Sequence, residues 1–327
     1  MKAIVRSKYG PPEILEFEEI EKPVCGDDEV LVKVCAVALN PLDWHFLRGI
    51  PYLMRIMSGL SKPKNKLIGA DFAGKVEAVG KNVNQFKIGD DVFGTKHGSL
   101  AEYITVRQDG AIAFKDARIT FEQAAALPIA GLTALQGLRD VAQIKQGQRV
   151  LINGASGGVG TFAVQIAKYN GAEVTGVCST KNVELVRSLG ADYVIDYTNE
   201  NFTKNGKSYD VSIDNIGNHS LWQYKKILNK SGVYVGNGGG SVNDRGFFGP
   251  IFGALAPSVF SLFVNQKMKT FLAKPNSNDL KFLISLMLNG KLNSVIDKQY
   301  KFSEIKEAMY YLEAGHVSGK LVITLEN

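Results

Sequence analysis

The sequence predicts an α/β protein in two parts, a β-rich region followed by a doubly wound parallel sheet, with the chain returning to the β-rich part at its end. Three observations predict it. Residues 1–110 are dominated by short β-branched runs set off by Gly, Pro, Asn and Asp. From residue 149 onward, nearly continuous apolar runs of strand length alternate with helical segments, the pattern of buried parallel strands joined by crossover helices. The closing stretch "SVIDKQYKFSEIKEAMYYLEAGHVSGKLVITLE" reads strand, helix, strand, and is expected to pack back on the N-terminal part.

The elements follow in order. "MKAIVRS", "EVLVKVCAVAL", "FAGKVEAVG", "DDVFGT" and "AEYITVR" are the N-terminal strands, several of them alternating. Residues 122–139, "EQAAALPIAGLTALQGLR", turn helical in composition. Then comes "RVLIN", a glycine turn and a helix over 158–170, followed by "EVTGVC" and a helix over 181–189. "YVIDY" and "YDVSIDNIG" lead to a helix over 219–229, and "GVYVGNG" closes the series. No internal repeat, low-complexity tract or long linker interrupts this rhythm.

Composition bounds the function. At 327 residues the chain is long enough for two domains, and 45% apolar with 21% charged residues is ordinary for a globular protein. The net charge of +6 comes from scattered Lys and Arg mixed with 32 acidic residues, with no basic stripe interleaved with aromatics. Nucleic acid is therefore excluded as a partner. Cys25, Cys35 and Cys178 form neither an even set nor a C-x-x-C pair, which points to a reducing, cytoplasmic setting. The N-terminus lacks the apolar core of a secretory signal. The run 247–264, "FFGPIFGALAPSVFSLFV", is interrupted by Pro250 and Pro257, and is expected to form a dimer seam or a buried segment rather than to contact membrane.

The stretch "LINGASGGVGTFAVQIAKYNG", residues 151–171, carries the chemistry. A strand ending at Asn153 puts the turn at the carboxyl edge of the sheet, where ligands bind in open α/β folds. The Ser156-Gly157-Gly158-Val159 loop lets backbone N–H groups approach phosphate oxygens, and the following helix points its positive end at them. At the end of the second strand, Val177-Cys178-Ser179-Thr180-Lys181 lacks the carboxylate that grips a ribose 2′-hydroxyl. Ser179 and Lys181 stand there instead, and Tyr197 at the end of the third strand adds a phenolic donor. A 2′-phosphate, and so NADPH, is the expected fit.

With "NGASGGVG", "GAEVTGVCSTKN", "VALNPLDW" at 37–44, "IGADFAGKVEAVG" at 68–80, "ALPIAGLTAL" at 126–135 and "HVSGKLVI" at 316–323, the chain resembles the quinone oxidoreductase, ζ-crystallin-like branch of the medium-chain dehydrogenases/reductases. The resemblance implies a GroES-like substrate domain, residues 1–123 with 290–327, and a Rossmann cofactor domain over 124–289, with a nicotinamide cleft between them. It also implies a homodimer. Zinc-dependent relatives carry a Cys ligand where this chain has Asn40, and a Gly-His-Glu where it has Gly69-Ala70-Asp71. Neither imidazole nor thiolate is supplied at those points, and 90–115 holds no cysteine for a structural zinc lobe. No metal is expected.

Without a Lewis acid, hydride transfer suits an acceptor that is already electron-poor, a quinone or an α,β-unsaturated carbonyl. By the same resemblance Asn40 hydrogen-bonds the substrate oxygen and Asp43 orders its loop. Tyr52 lines the substrate pocket, with His45 competing for the role. Thr133, Asn215, Gly236 and Asn237 line the cofactor, and Lys320 closes over the site. Two other readings stand beside the reductase: an NADPH-binding structural or regulatory protein with little turnover, and a membrane-associated quinone reductase.

Overall fold

The computed structural model describes residues 1–237 and 256–325. They form two compact units, Met1–Leu132 with Lys274–Asn327, and Thr133–Ala273.

In the N-terminal unit, β1 (Lys2–Val5) and β2 (Glu16–Glu19) pair antiparallel as a two-stranded sheet. The long central strand β3 (Glu29–Leu39) pairs antiparallel with both β4 (Asp71–Val79) and β6 (Tyr103–Arg107). Beyond β4 lie β5 (Asp91–Thr95) and β7 (Ile112–Phe114). β3 is buried at eight of its eleven positions, which is why its run "EVLVKVCAVAL" reads as nearly unbroken apolar sequence. The helical stretch expected over 122–139 is two helices, Phe121–Ala125 and Pro128–Gln136, running on as a π-helix over Gly137–Ala142. Pro128 marks the break, since its ring removes the backbone donor that would continue the first helix.

In the second unit, β8 (Arg149–Asn153), β9 (Glu173–Cys178), β10 (Tyr193–Asp196), β11 (Tyr209–Asp214) and β12 (Leu228–Gly236) are all parallel, in the order β10-β9-β8-β11-β12. The order reverses beside β8, which sets a topological switch point at the end of that strand. Leu151, Val177, Ile195, Tyr224 and Met268 share one core beneath the sheet. A sixth strand, β13 (Lys267–Thr270), extends the sheet past β12, where the sequence reading closed the series. "KMKT" carries no apolar run, and only Met268 of the four is buried, so pattern alone does not reveal it. β13 forms the outer edge, and Leu262, Phe263 and Leu272 near it in the chain are 80%, 78% and 90% exposed. Of the run 247–264, residues 247–255 lie outside the described residues.

The chain then returns to the first unit. β14 (Ile296–Lys301) lies parallel to β15 (Lys320–Thr324), joined through the Ile305–Glu313 helix, and β15 pairs antiparallel with β3. The compact units divide at Leu132/Thr133 and Ala273/Lys274, rather than after 123 and 289 as expected from sequence. The Ser277–Leu288 helix belongs with the N-terminal unit because Leu283 packs close over Gly131, and Ser294 Oγ donates to the Gln123 carbonyl at 2.8 Å.

Candidate active site

Two constellations stand out, one in each unit. The first begins where β3 ends. Asn40 is extended (φ −128°, ψ 155°), and Pro41 then opens the Pro41–Arg48 helix with its φ already suited to the first turn. Asp43 sits three residues on and reaches back, its Oδ2 accepting the Asn40 backbone N–H at 2.7 Å. The Asn40 side chain turns the other way. Its Nδ2 donates to Asp71 Oδ2 at 2.9 Å and to the Ala38 carbonyl at 3.3 Å, while its Oδ1 accepts from Lys320 Nζ at 2.5 Å. Asp71, the first residue of β4, also accepts the Ile129 N–H at 3.1 Å, and its Oδ2 lies 3.5 Å from Lys320 Nζ.

All four side chains are buried, none more than 3% exposed. Burial pushes the Asp43 carboxyl up from 3.8 to about 7; its bond from the Asn40 N–H opposes this and the Asp71 charge adds to it. Burial also raises Asp71 against the pull of Lys320, and lowers Lys320 against the pull of Asp71.

This geometry corrects two expectations. Asn40 offers no free amide hydrogen: Lys320 occupies Oδ1, and that turns the NH2 group onto Asp71 and Ala38. Lys320 stands against Asn40 and Asp71, rather than simply closing over a cofactor. Two of its ammonium hydrogens have these partners, and the third has none among the described residues. Tyr52 makes no hydrogen bond with this cluster; it is 39% exposed, with the Arg55 guanidinium 4.8 Å from its ring centroid. His45 stacks on Trp44 and its Nδ1 lies 2.7 Å from the Ile50 carbonyl. Asp71 and Ile129 are members that the sequence reading did not assign to the substrate site. Asp71 was noted only for what it replaces.

The second constellation is the turn after β8. Gly154 adopts φ +77°, and a Cβ on Gly160 would come within 2.0 Å of the Gly154 carbonyl oxygen, so the helix packs on the turn only without a side chain there. The twelve-residue helix Gly158–Tyr169 starts at this turn. Gly157 N–H is already bound to the Gly154 carbonyl at 3.2 Å, leaving Gly158 and Val159 to supply the helix-start donors. Ser156 is 9% exposed, and its Oγ accepts from Asn182 Nδ2 at 3.0 Å. Beneath the turn, Asp214 Oδ1 collects Asn153 Nδ2 and the N–H groups of Ile216 and Gly217, and its Oδ2 accepts from Tyr234. Sequence reasoning missed this network, although "DNIG" with its Asp and Gly carries the signal.

At the far end of β9, Ser179 is half-buried and Lys181 exposed. Tyr197 is 58% exposed. One correction applies here. Asp196 pairs in register with Cys178, and its carboxylate accepts the Thr180 hydroxyl at 2.6 Å, so the neighbourhood does hold a carboxylate. It lies on the third strand rather than the second, and Thr180, Thr198 and Asn199 all hydrogen-bond to it. Thr133 lies half-buried on the Pro128–Gln136 helix. Asn237 Nδ2 donates to Asn215 Oδ1 at 3.1 Å, and Asn215 Nδ2 to the Asn153 carbonyl, which ties the ends of β8, β11 and β12 together beside Gly236. Asn237 Oδ1 is buried with no hydrogen-bond partner among the described residues, an acceptor left for a donor such as a carboxamide.

Among the described residues, no three His, Cys, Asp or Glu side chains stand together as metal ligands. The donor set at Asn40 also fits zinc poorly. An ammonium sits at 2.5 Å on the one amide oxygen that would ligate, and Asp71 already has Asn40, Lys320 and Ile129 as partners.

Residues 26–116 match the family model described as "Alcohol dehydrogenase GroES-like domain", and 189–323 that described as "Zinc-binding dehydrogenase". The chain is 34% identical to 2-methylene-furan-3-one reductase of Solanum lycopersicum, covering 99% of this chain and 79% of that one. It is 35% identical to the NADPH-dependent alkenal/one oxidoreductase, chloroplastic, of Arabidopsis thaliana, with the same coverage. The quinone oxidoreductase structure from Coxiella burnetii superposes with a TM-score of 0.86 at 32% identity, covering 100% and 99% of the two chains. That of Escherichia coli quinone oxidoreductase complexed with NADPH gives 0.82 at 25% identity, covering 99% and 100%.

The buried Asp43 carboxyl has a pH signature. Between about pH 4 and pH 7 the folded chain holds this carboxyl protonated while the unfolded chain ionises it, so its contribution to stability falls as pH rises and levels off above about 7. Asp43→Asn removes the titration and keeps an acceptor for the Asn40 N–H. Wild-type stability relative to the variant should therefore fall by up to roughly 1.4 kcal/mol per pH unit across that window. Urea unfolding of both proteins from pH 4.5 to 8 checks it; parallel profiles would show that Asp43 is already ionised in the fold.

Proposed function

The chain belongs to the quinone oxidoreductase family of the medium-chain dehydrogenases/reductases, and from that premise we propose that it is an NADPH-dependent reductase of quinones and α,β-unsaturated carbonyls. The observation that carries the reading is the pair of constellations: a glycine turn with a buried, unused acceptor at Asn237, and a buried ammonium with an unused hydrogen at Lys320. Gly158 and Val159 N–H groups hold the diphosphate, Asn237 accepts from the carboxamide, and Ser179, Lys181 and Tyr197 take the 2′-phosphate. Bound there, NADPH supplies the hydride.

Within the N-terminal unit, Lys320 does what the sequence reading gave to Asn40. Its ammonium stabilises negative charge that develops on the acceptor oxygen, and Asn40 and Asp71 hold it in place. A donor aimed at developing charge lowers the barrier because it is worth more in the transition state than in the ground state. A conjugated acceptor spreads that charge, so one ammonium suffices without a metal. The chain works without zinc on this reading, because the Asn40 amide oxygen is engaged by a cation rather than left open as a ligand.

The purified chain should oxidise NADPH in the presence of quinones or enones and keep that activity through prolonged chelation. NADH should bind at least ~10-fold more weakly, the scale of one charge-assisted contact, and Lys181→Ala should erase most of the gap. No turnover across a panel of quinones, enones and alkenals would favour the structural or regulatory alternative instead. Zinc-restorable loss of activity on chelation would remove the metal-free mechanism.

Lys320→Met separates the two roles considered for that residue. If Lys320 acts on the acceptor, turnover should drop by roughly 10-fold or more per folded molecule with NADPH affinity unchanged. A fall in NADPH affinity with turnover retained at saturation would return Lys320 to the cofactor.

A homodimer completes the reading, supported by β13, which has no second strand partner among the described residues, and by the exposed Leu262, Phe263 and Leu272 near it. Light scattering at micromolar concentration should give twice the chain mass, and Leu262→Asp with Phe263→Asp should halve it. A wild-type monomer would count against the seam.

A further inference from the structure

Arg6, just past β1, is 1% exposed, and its Nε and Nη1 have no hydrogen-bond partner. No carboxylate forms an ion pair with it among the described residues; its side-chain neighbour is the Tyr9 ring, with the Arg6 Cζ 5.3 Å from the centroid. Arg55 packs over the same ring at 4.5 Å, while its Nε is spent on the Gly49 carbonyl at 3.0 Å. Tyr9 Oη, in turn, donates to the Gly59 carbonyl at 2.6 Å and lies 2.8 Å from Ser58 Oγ, which pins the loop that follows the Pro41–Arg48 helix. His97 is exposed, and its ring lies 5.5 Å from the Phe46 ring. Desolvation first, and then the charges of Arg6 and Lys96, hold its imidazole below the usual range. On the Pro41–Arg48 helix, Arg48 is paired with Glu313 at 2.6 and 2.7 Å.

A buried guanidinium is ordinarily paired, because removing its charge from water without a partner costs several kcal/mol. Here a second cation is the neighbour instead: Arg6 and Arg55 both pack on the Tyr9 ring. Arg presents planar donors that match the oxygens of carboxylate and phosphate. We propose that Arg6 forms an oxyanion subsite in the N-terminal unit, which takes a carboxylate or phosphate group. Arg6 lies in the same unit as Asn40: it packs on Tyr9, and the adjoining Gly10 N–H donates to the Leu47 carbonyl of the helix that Asn40 precedes. This suits an acidic group at the far end of an acceptor whose conjugated carbonyl lies near Lys320. That second assignment rests on the reductase reading; the subsite itself does not.

The test uses the intact chain and two anions, inorganic phosphate and acetate, followed by thermal unfolding and calorimetry without any turnover. Each anion should raise the wild-type midpoint in a concentration-dependent way, and Arg6→Met should lose at least tenfold in affinity. Arg6→Lys, which keeps the charge but not the fork, should retain part of the binding. In anion-free buffer Arg6→Met should melt above wild type by about 3 °C or more, because it removes an unpaired buried charge. Equal anion response in wild type and Arg6→Met, or a lower anion-free midpoint for Arg6→Met, overturns the subsite. A second arm identifies the source of the anion by comparing kcat/KM for an enone and its ω-carboxylate analogue. An advantage for the carboxylate of tenfold or more in wild type, absent in Arg6→Met, assigns the subsite to the acceptor. Anion binding with no such advantage overturns that assignment and identifies a free anion as the occupant.

Discussion

An ammonium stays in a fold at 3% exposure only when other polar groups surround it, and three neighbouring strands bring those groups to Lys320. The adjacent order β15-β3-β4 places Lys320 at the start of β15, Asn40 just past the end of β3 and Asp71 at the start of β4. Antiparallel pairing makes those three ends coincide, with Leu321 opposite Leu39. The return of the chain's last segment to the N-terminal sheet is thus more than added sheet area. It carries the only cation of the cluster to two groups that would otherwise be a buried carboxylate and a buried amide without one. The same constraint sets the orientation of Asn40: an amide whose oxygen is taken by Lys320 must aim its nitrogen at an acceptor, and Asp71 is there.

The second unit solves a different problem by the same means. A glycine turn has little side-chain contact to define its shape. Asp214, fully buried, fixes it from below through the N–H groups of Ile216 and Gly217, Asn153 Nδ2 and the Tyr234 hydroxyl. The Ala155 and Gly157 N–H groups are taken by the Val177 and Gly154 carbonyls, which leaves those of Gly158 and Val159 at the helix start. The steric fit of Gly160 against the Gly154 carbonyl does the rest, because it lets the helix start close to the strand end.

What could be read from sequence divides along a physical line. The alternation of β8 to β12 with helices was legible because strands buried on both faces must be apolar along their whole length. β13 was not, because at an edge one buried residue, Met268, is enough to hold four residues in the sheet. The glycine turn announced itself by its place between an apolar strand and an amphipathic helix. Its Asp214 support did not, since a buried aspartate and a loop aspartate look alike without partners. At the second strand, reading Ser179 to Lys181 along the chain missed Asp196, which is close only through the β9–β10 register. The same limit applied to Asn40. Its place at the end of β3 was clear from "ALNPLD", but the direction of its amide depends on a lysine 280 positions later.

Lys320 and Arg6 make an instructive pair, since both are buried cations in one unit and only one has an anion. Lys320 shows that this fold readily delivers a carboxylate to a buried charge when strand order allows it. Arg6 follows β1, beside the glutamates of "EILEFEEIE", which are used elsewhere: Glu16 is exposed, and half-buried Glu18 lies 4.0 Å from Lys66. An acidic partner was thus within a short substitution's reach and is not used. The guanidinium keeps its desolvation cost and shares the Tyr9 ring with a second cation, Arg55. In a fold that satisfies Asp214 fourfold and locks Lys320 between two oxygens, an arginine left without an anion is placed for a ligand to complete it.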